Sequence, residues 1–208
     1  VQRARSAEAK QQREQAILAA ARELAVARSV REVTLTDVAA VVGMHTSAML
    51  RYFETREQIF LALTVEGWVE WSAWLRPNLT SDHDAAAVIA QSLAARPLFC
   101  DLLAQAPMNL ERNVSLKSVY ESKVAILEQV GLITHHLENV LDITEQQALD
   151  LASTATSMAG ALWQMSVKPG TMLAELYTAH PELRAGVEVG PWLSRIIATM
   201  IDGMRHRN

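Results

Sequence analysis

The sequence predicts an all-α protein made of a three-helix N-terminal head, residues 1–55, and a larger helical body, residues 56–208. Two observations carry this. Apolar residues recur at intervals of three and four in one segment after another, the spacing of one helix face. Those segments open on Ser, Thr or Asp and close on Gly or Pro, the residues that start and stop helices. Half of the residues are hydrophobic, which is ample for a core. The single cysteine, Cys100, excludes an internal disulfide and a cysteine metal cluster. No apolar run reaches the roughly 18 residues that a membrane span needs, and no signal peptide precedes the charged start. The expectation is a cytoplasmic protein with no membrane attachment.

Residues 1–10 carry Arg3, Arg5 and Lys10 with little apolar content. They read as a mobile basic arm able to follow a nucleic-acid backbone, or equally as a solvated tail. From Gln11 to Val26, Ile17, Leu18, Ala21, Leu24 and Ala25 predict a first amphipathic helix. The stretch Leu35–Ile59 then reads as two short helices around a tight turn, followed by the start of a long helix. Thr36 is the expected N-cap, with Asp37 at the positive end of the helix dipole. Val38, Ala39 and Val42 form a short apolar stripe, and Gly43 ends the helix and turns the chain. Met44 is expected to plug the turn, and His45 or Thr46 to cap the second helix, Thr46–Tyr52. Thr46, Ser47 and Arg51 face outward while Met49 and Phe53 anchor it. This is the layout of a helix-turn-helix whose second helix enters a DNA major groove.

These residues resemble the DNA-binding signature of the TetR/AcrR family of bacterial transcriptional regulators. The matching slots are Thr36, the Val38-Ala39 pair, the Gly43 turn, the Tyr52-Phe53 pair and Arg56. The chain departs from the pattern at His45, where Ser is frequent, and at Leu50, where Tyr is frequent. The resemblance covers about the first quarter of the chain. It implies a ligand-binding and dimerisation body, double-stranded operator DNA as partner, and two copies joined through the last two long helices.

Charge agrees with a DNA-facing head. Net charge is −4, but residues 1–56 hold nine Lys/Arg against six Asp/Glu, and residues 57–208 hold ten against seventeen.

Arg56 opens a long helix to about Leu75, stopped by Pro77. Its charge and first-turn N–H groups suit a phosphate. Trp68, Trp71 and Trp74 spread over about 120° of its circumference, so they read as core or as cavity lining. Residues 82–95 and 97–105 are further helices. Cys100, among Leu98, Phe99 and Leu102, reads as a small buried hydrophobe rather than a redox sensor. Residues 108–114, with Met108, Asn109 and Asn113, read as a polar loop able to gate a cavity.

Ser115 caps a long helix to about Val140 whose inward stripe includes Leu116, Val119, Ile126, Val130, Ile133 and Leu137. Lys123 lies on or beside that stripe, so it snorkels or meets a buried acid or an anionic ligand. His135 and His136 point about 100° apart and do not chelate one metal readily. Thr144–Gln147 is a capping box with Ile143 as its staple, opening a helix to about Met165. Ala148, Ala152, Ala155, Ala159 and Gly160 on that helix let another helix approach closely. Residues 167–190 read as a loop-rich connection with Lys168-Pro169-Gly170 as breakers. Pro191 starts the last helix, whose stripe is Leu193, Ile196, Ile197, Met200, Ile201 and Met204. Helices about 144–166 and 191–206 either close the core of one chain or meet those of a second copy; the resemblance implies the second, a homodimer through both helices, which sets two recognition helices roughly 34–36 Å apart, or a multiple of that.

No nucleophile elbow, phosphate-cradling loop or metal-spaced His/Glu pair is found, and no cofactor is implied. The expected function is ligand-responsive repression of an operator. Thr46, Ser47 and Arg51, with His45, would meet base edges or phosphates; Thr36, Tyr52 and Arg56 would hold phosphates, with Met44 in the turn between the helices. The inducer would be a small lipophilic or aromatic molecule, bound among Trp68, Trp71, Trp74, Phe99, Met108, Asn109, Lys123, Met158 and Trp163, beside Met165. An activator, a regulator controlled by a partner protein and a helical enzyme are the alternatives.

Overall fold

A computed structural model describes residues 2–167, 171–183 and 186–206. All regular structure among them is helical: α1 (Gln2–Ala27), α2 (Leu35–Val41), α3 (Thr46–Met49), α4 (Arg56–Asn78), α5 (Ala85–Ala94), α6 (Pro97–Gln105), α7 (Leu116–Leu141), α8 (Glu145–Ser166), α9 (Thr171–Ala179) and α10 (Val189–Arg205). Single 3-10 turns lie at Leu110–Arg112 and Pro181–Leu183.

Two hydrophobic clusters organise these helices. The first joins α1, α2 and α3 to the first half of α4 around Ile17, Val38, Met49, Ile59 and Phe60. The second joins the far half of α4 to α5, α6, α7, α8 and α10 around Trp71, Leu93, Leu137, Leu151 and Ile197. Within the body the most extensive packing is α5 on α10, α6 on α8 and α4 on α7. α4 and α6 both contribute to the two clusters, and α4 runs directly from one into the other.

Several boundaries differ from the sequence reading, each for a local reason. The expected arm is helical from Gln2, because nothing before Ile17 breaks the period; Val1 and the side chains of Arg3 and Arg5 lie outside the described residues. The N-cap of α2 is Thr34, not Thr36. Thr34 Oγ1 accepts from Asp37 N while Asp37 Oδ2 accepts from Thr34 N at 2.8 Å, a reciprocal box that Thr36 would need an acid at residue 39 to build. α4 continues past Pro77 into its last turn, where Leu79 N–H closes on Leu75 O at 2.9 Å. α5 begins at Ala85, because Asp84 rather than Asp82 caps it. The loop-rich connection holds α9; Lys168, Pro169 and Gly170 lie outside the described residues.

The stripe expected on α7 also changes. Leu116 is 88% exposed, and in the N-terminal half of α7 only Ser118 is buried. The small residues of α8 do admit a close neighbour, but it is α6 of the same chain. A Cβ on Gly160 would meet Ala104 N at 2.9 Å, so that crossing leaves room for glycine alone. Ala148, Ala152, Ala155 and Ala159 are likewise buried within the chain. The capping box at Thr144, its staple Ile143 and the cap at Ser115 are as the sequence predicts.

Candidate nucleic-acid interface and the head–body joint

The turn between α2 and α3 depends on Gly43, whose φ of +65° lies in the left-handed region where a side chain is strained. Met44 N–H then closes on Ala39 O at 2.9 Å. Met44 itself is only half-buried; the residue that plugs this corner is Met49, which has no exposed surface. His45 occupies the N-cap position of α3, but its side chain makes no capping bond.

α3 is short, and a helical turn carries it on through Tyr52 and Phe53, whose N–H groups both bond Met49 O. With Met49 inward, Ser47, Leu50 and Arg51 fall at i, i+3 and i+4 and share an exposed face. His45 and Thr36 are also exposed, while Thr46 and Tyr52 are half-buried. Leu50, 53% exposed among polar neighbours, was absent from the sequence-derived contact set. Its signal was there: an apolar residue directly after α3, spaced to share a face with Ser47 and Arg51.

Arg56 is placed differently from the expectation that its side chain holds a phosphate. Its guanidinium turns into the head, donating from Nε to Val33 O and from Nη2 to Val30 O. It also pairs with Glu57 at 3.0 Å and lies 4.7 Å from the centre of the Phe60 ring. Arg56 therefore pins the α1–α2 turn to the start of α4.

Two more polar brackets tie this head to the body. Asp101, buried in α6, accepts from Val30 N at 2.7 Å and from Gln164 Nε2 of α8 at 2.8 Å. Glu54 accepts from Ser115 N and Ser118 Oγ, each at 2.8 Å, joining the end of the helix-turn-helix to α7. The Ser115 N–H first, and the Ser118 hydroxyl second, hold the Glu54 carboxyl below its usual pKa. The Thr34 hydroxyl does the same for Asp37. Neither bracket was read from the sequence, although an aspartate in the apolar run Leu98–Leu103 signals a buried acid in need of donors.

Most of the residues expected to line a ligand cavity are engaged in packing or lie on the surface. Trp68, Trp71 and Phe99 pack edge-on or tilted with centroids 5.6–6.2 Å apart inside the body core. Trp71 Nε1 is satisfied by Ser92 Oγ at 2.9 Å. Trp74 lies outside that cluster under the Arg96 guanidinium. Met108 is 65% exposed, and Asn109, also exposed, donates to Gln105 Oε1. The segment 108–114 is docked by Leu110, which is buried in the head cluster, so it is not a free gate. Lys123 is exposed and pairs with Glu111 at 2.6 Å, which answers its charge without a ligand. Met158 and Trp163 are half-buried against the body core, and Met165 is exposed. Of the set, Phe99 alone lines the cavity between α1, α4 and α6 described below.

Cys100 is fully buried with its thiol on Leu93 O at 3.2 Å, and burial pushes its pKa up to about 12, the behaviour of a packing residue. His136 Nε2 lies 2.8 Å from Leu79 O while His135 is exposed, and no metal-binding group of His, Cys, Asp and Glu occurs among the described residues. No single described helix is long and apolar enough to cross a membrane; one bent pair, α5 with α6, reaches that length and composition.

Residues 17–63 match the family model for bacterial regulatory proteins of the tetR family, and residues 65–208 match that for the tetracyclin repressor-like C-terminal domain. Similar solved structures include a bacterial regulatory protein in the tetR family from Rhodococcus RHA1, 15% identical with a TM-score of 0.56 over 92% of this chain and 96% of that one. The TetR family repressor AlkX from Dietzia sp. strain DQ12-45-1b, implicated in biodegradation of n-alkanes, is 16% identical over 88% of this chain and 96% of its own, with a TM-score of 0.45. No curated protein matches the chain.

Proposed function

The chain belongs to the tetR family of bacterial regulatory proteins, which are DNA-binding transcriptional regulators, and we propose that it is a homodimeric repressor released from a palindromic operator by a small apolar molecule. The observation that carries the reading is the exposed face Ser47, Leu50 and Arg51 on a helix fixed from behind by Met49. A short helix with one polar-apolar face outward and one deeply buried anchor fits a major groove.

The contacts sort by chemistry. Arg51 offers a bidentate fork to guanine, and Leu50 an apolar surface to a thymine methyl. Thr36, His45, Thr46, Ser47 and Tyr52 supply hydrogen bonds to phosphates or base edges. Arg56 acts indirectly by holding the α1–α2 turn.

For the second copy, the inner seam of α8 is taken by its own chain. A partner would meet the outer faces: exposed Ser153, Ser157 and Ala161 on α8, with half-buried Ile196 and Met200 on α10. Small residues facing outward support close approach between copies.

The test is a gel shift with DNA from upstream of the protein's own gene, at two salt concentrations. Arg51→Ala is expected to cost about 1–3 kcal/mol of binding and to relax specificity without moving the melting temperature. Arg56→Ala should lower melting temperature and affinity together. Absence of salt-sensitive, sequence-dependent binding by the unmodified chain would overturn the reading, as would a monomer in light scattering.

A further inference from the structure

A cavity of about 250 Å³ lies where α1, α4 and α6 meet, so its walls belong to head and body at once. Val26 comes from α1, Leu63 and Gly67 from α4, and Leu98, Phe99 and Leu102 from α6. The Phe99 ring lies directly against Gly67, and its other neighbours are Trp68 and Trp71, so this wall is fixed by the body core. Val26 is the reverse case: an apolar side chain 67% exposed in the last turn of α1.

The charged groups around the cavity sit at its edge, and two of them pair with each other. Arg22 of α1 is paired with Glu66 of α4, and this ion pair spans the rim. Arg96 donates to Ser92 O at 2.7 Å and lies 5.1 Å from the centre of the Trp74 ring, so its guanidinium is engaged on the protein. The apolar walls offer an ionised ligand no buried counter-charge, and one drawn to Arg22 or Glu66 would have to break that pair, whereas an uncharged ligand need not. Size narrows the class further: an apolar cavity of about 150 Å³ takes benzene, so this one suits a compact molecule of one or two rings.

We propose that this joint cavity is the inducer site, and that it takes an uncharged, compact apolar molecule which wedges α1 away from α4 and α6. The binding claim stands on the cavity; its regulatory consequence rests on the repressor reading above. Occupancy bears on two links that position the recognition helix. One is the Arg22–Glu66 pair. The other runs through α6, where Asp101, two residues beyond Phe99, holds the Val30 N–H that leads into α2. A ligand that prefers the wedged arrangement disfavours the DNA-bound one by the same free energy.

The full-length chain would be titrated with indole and with naphthalene while melting is followed. Binding at ten times the dissociation constant raises the melting temperature by about 3–6 °C. Val26→Trp, which fills the rim from an exposed position, should leave the unliganded melting temperature unchanged and weaken binding at least about tenfold, abolishing most of that rise. Leu98→Trp fills the opposite wall and serves as the second variant. Nuclear Overhauser contacts from indole to the Val26 and Leu98 methyls in the unmodified chain test the location without any substitution. No shift with either probe, or an undiminished shift in both variants, overturns the site. In a parallel gel shift, indole should release DNA from the unmodified chain and not from Val26→Trp. If the chain binds indole at Val26 but binds no DNA, the repressor reading falls and the site stands. If it binds DNA but neither probe, the site falls and the DNA reading stands.

Discussion

The body and the head are held together by different means. Trp71, Leu93, Ala148 and Ile197 of the body are completely shielded, and their contacts are overwhelmingly apolar. The head has its own apolar cluster, but its outline is drawn by polar brackets: Thr34 with Asp37, Arg56 on Val30 and Val33, Asp101 on Val30, and Glu54 on Ser115 and Ser118. Apolar packing is broad and indifferent to small rotations, whereas a hydrogen bond is lost within about an ångström. The body therefore fixes volume and the head fixes direction. A reading head has to present one face at one angle.

Trp71→Ala should break this contrast most severely. It removes the central ring of the aromatic cluster and leaves Ser92 Oγ without its donor, at a cost of about 3–5 kcal/mol. Equilibrium denaturation measures it, and a loss below about 1 kcal/mol would mean the body core is not packed as described. Asp101→Ala comes next. It leaves a buried Val30 N–H and the Gln164 amide unpaired, costing about 2–4 kcal/mol. Asp101→Asn should recover much of that loss, because Asn Oδ1 can still accept from Val30 while Gln164 flips to accept from Asn Nδ2. Equal losses for both substitutions would show that the bracket contributes nothing through its geometry.

The smallest effect is the pH dependence of the Glu54 bracket. Its carboxyl titrates below the usual value of 4.5, so the folded state binds fewer protons there than the unfolded chain. That contribution is complete above the usual value and fades as pH falls through it toward the depressed one. The difference in melting temperature between the natural chain and Glu54→Gln should therefore shrink from about pH 6 to about pH 3. A difference that stays flat over that range would remove Glu54 from the joint.

Much of the fold was legible because helix signals are local. Gly43, Ser115, Thr144 and the stripe of α10 each declare themselves within one or two turns of chain. Thr34 was legible too, since Asp37 stands three residues after it, the spacing of a reciprocal capping box that Thr36 lacks. The rest is tertiary. Sequence cannot tell whether the small face of α8 meets α6 of its own chain or another copy, because both demand the same residues. Nor does it separate an aromatic that fills space, such as Trp71, from one that borders it, such as Phe99. The anchoring roles of Arg56 and Asp101 were not legible for a related reason: both hold backbone groups at Val30 or Val33, which carry no side-chain signature.

Leu102, Ala106 and Leu110 lie near the middle of the sequence, about fifty residues beyond the helix-turn-helix, yet they belong to the head's hydrophobic cluster. Chimeras that graft this head onto another sensor at the end of the helix-turn-helix would leave behind those three side chains and the Asp101 acceptor. A working transplant would have to carry residues 97–112 along with the first 63, so the unit that can be exchanged is discontinuous in the gene.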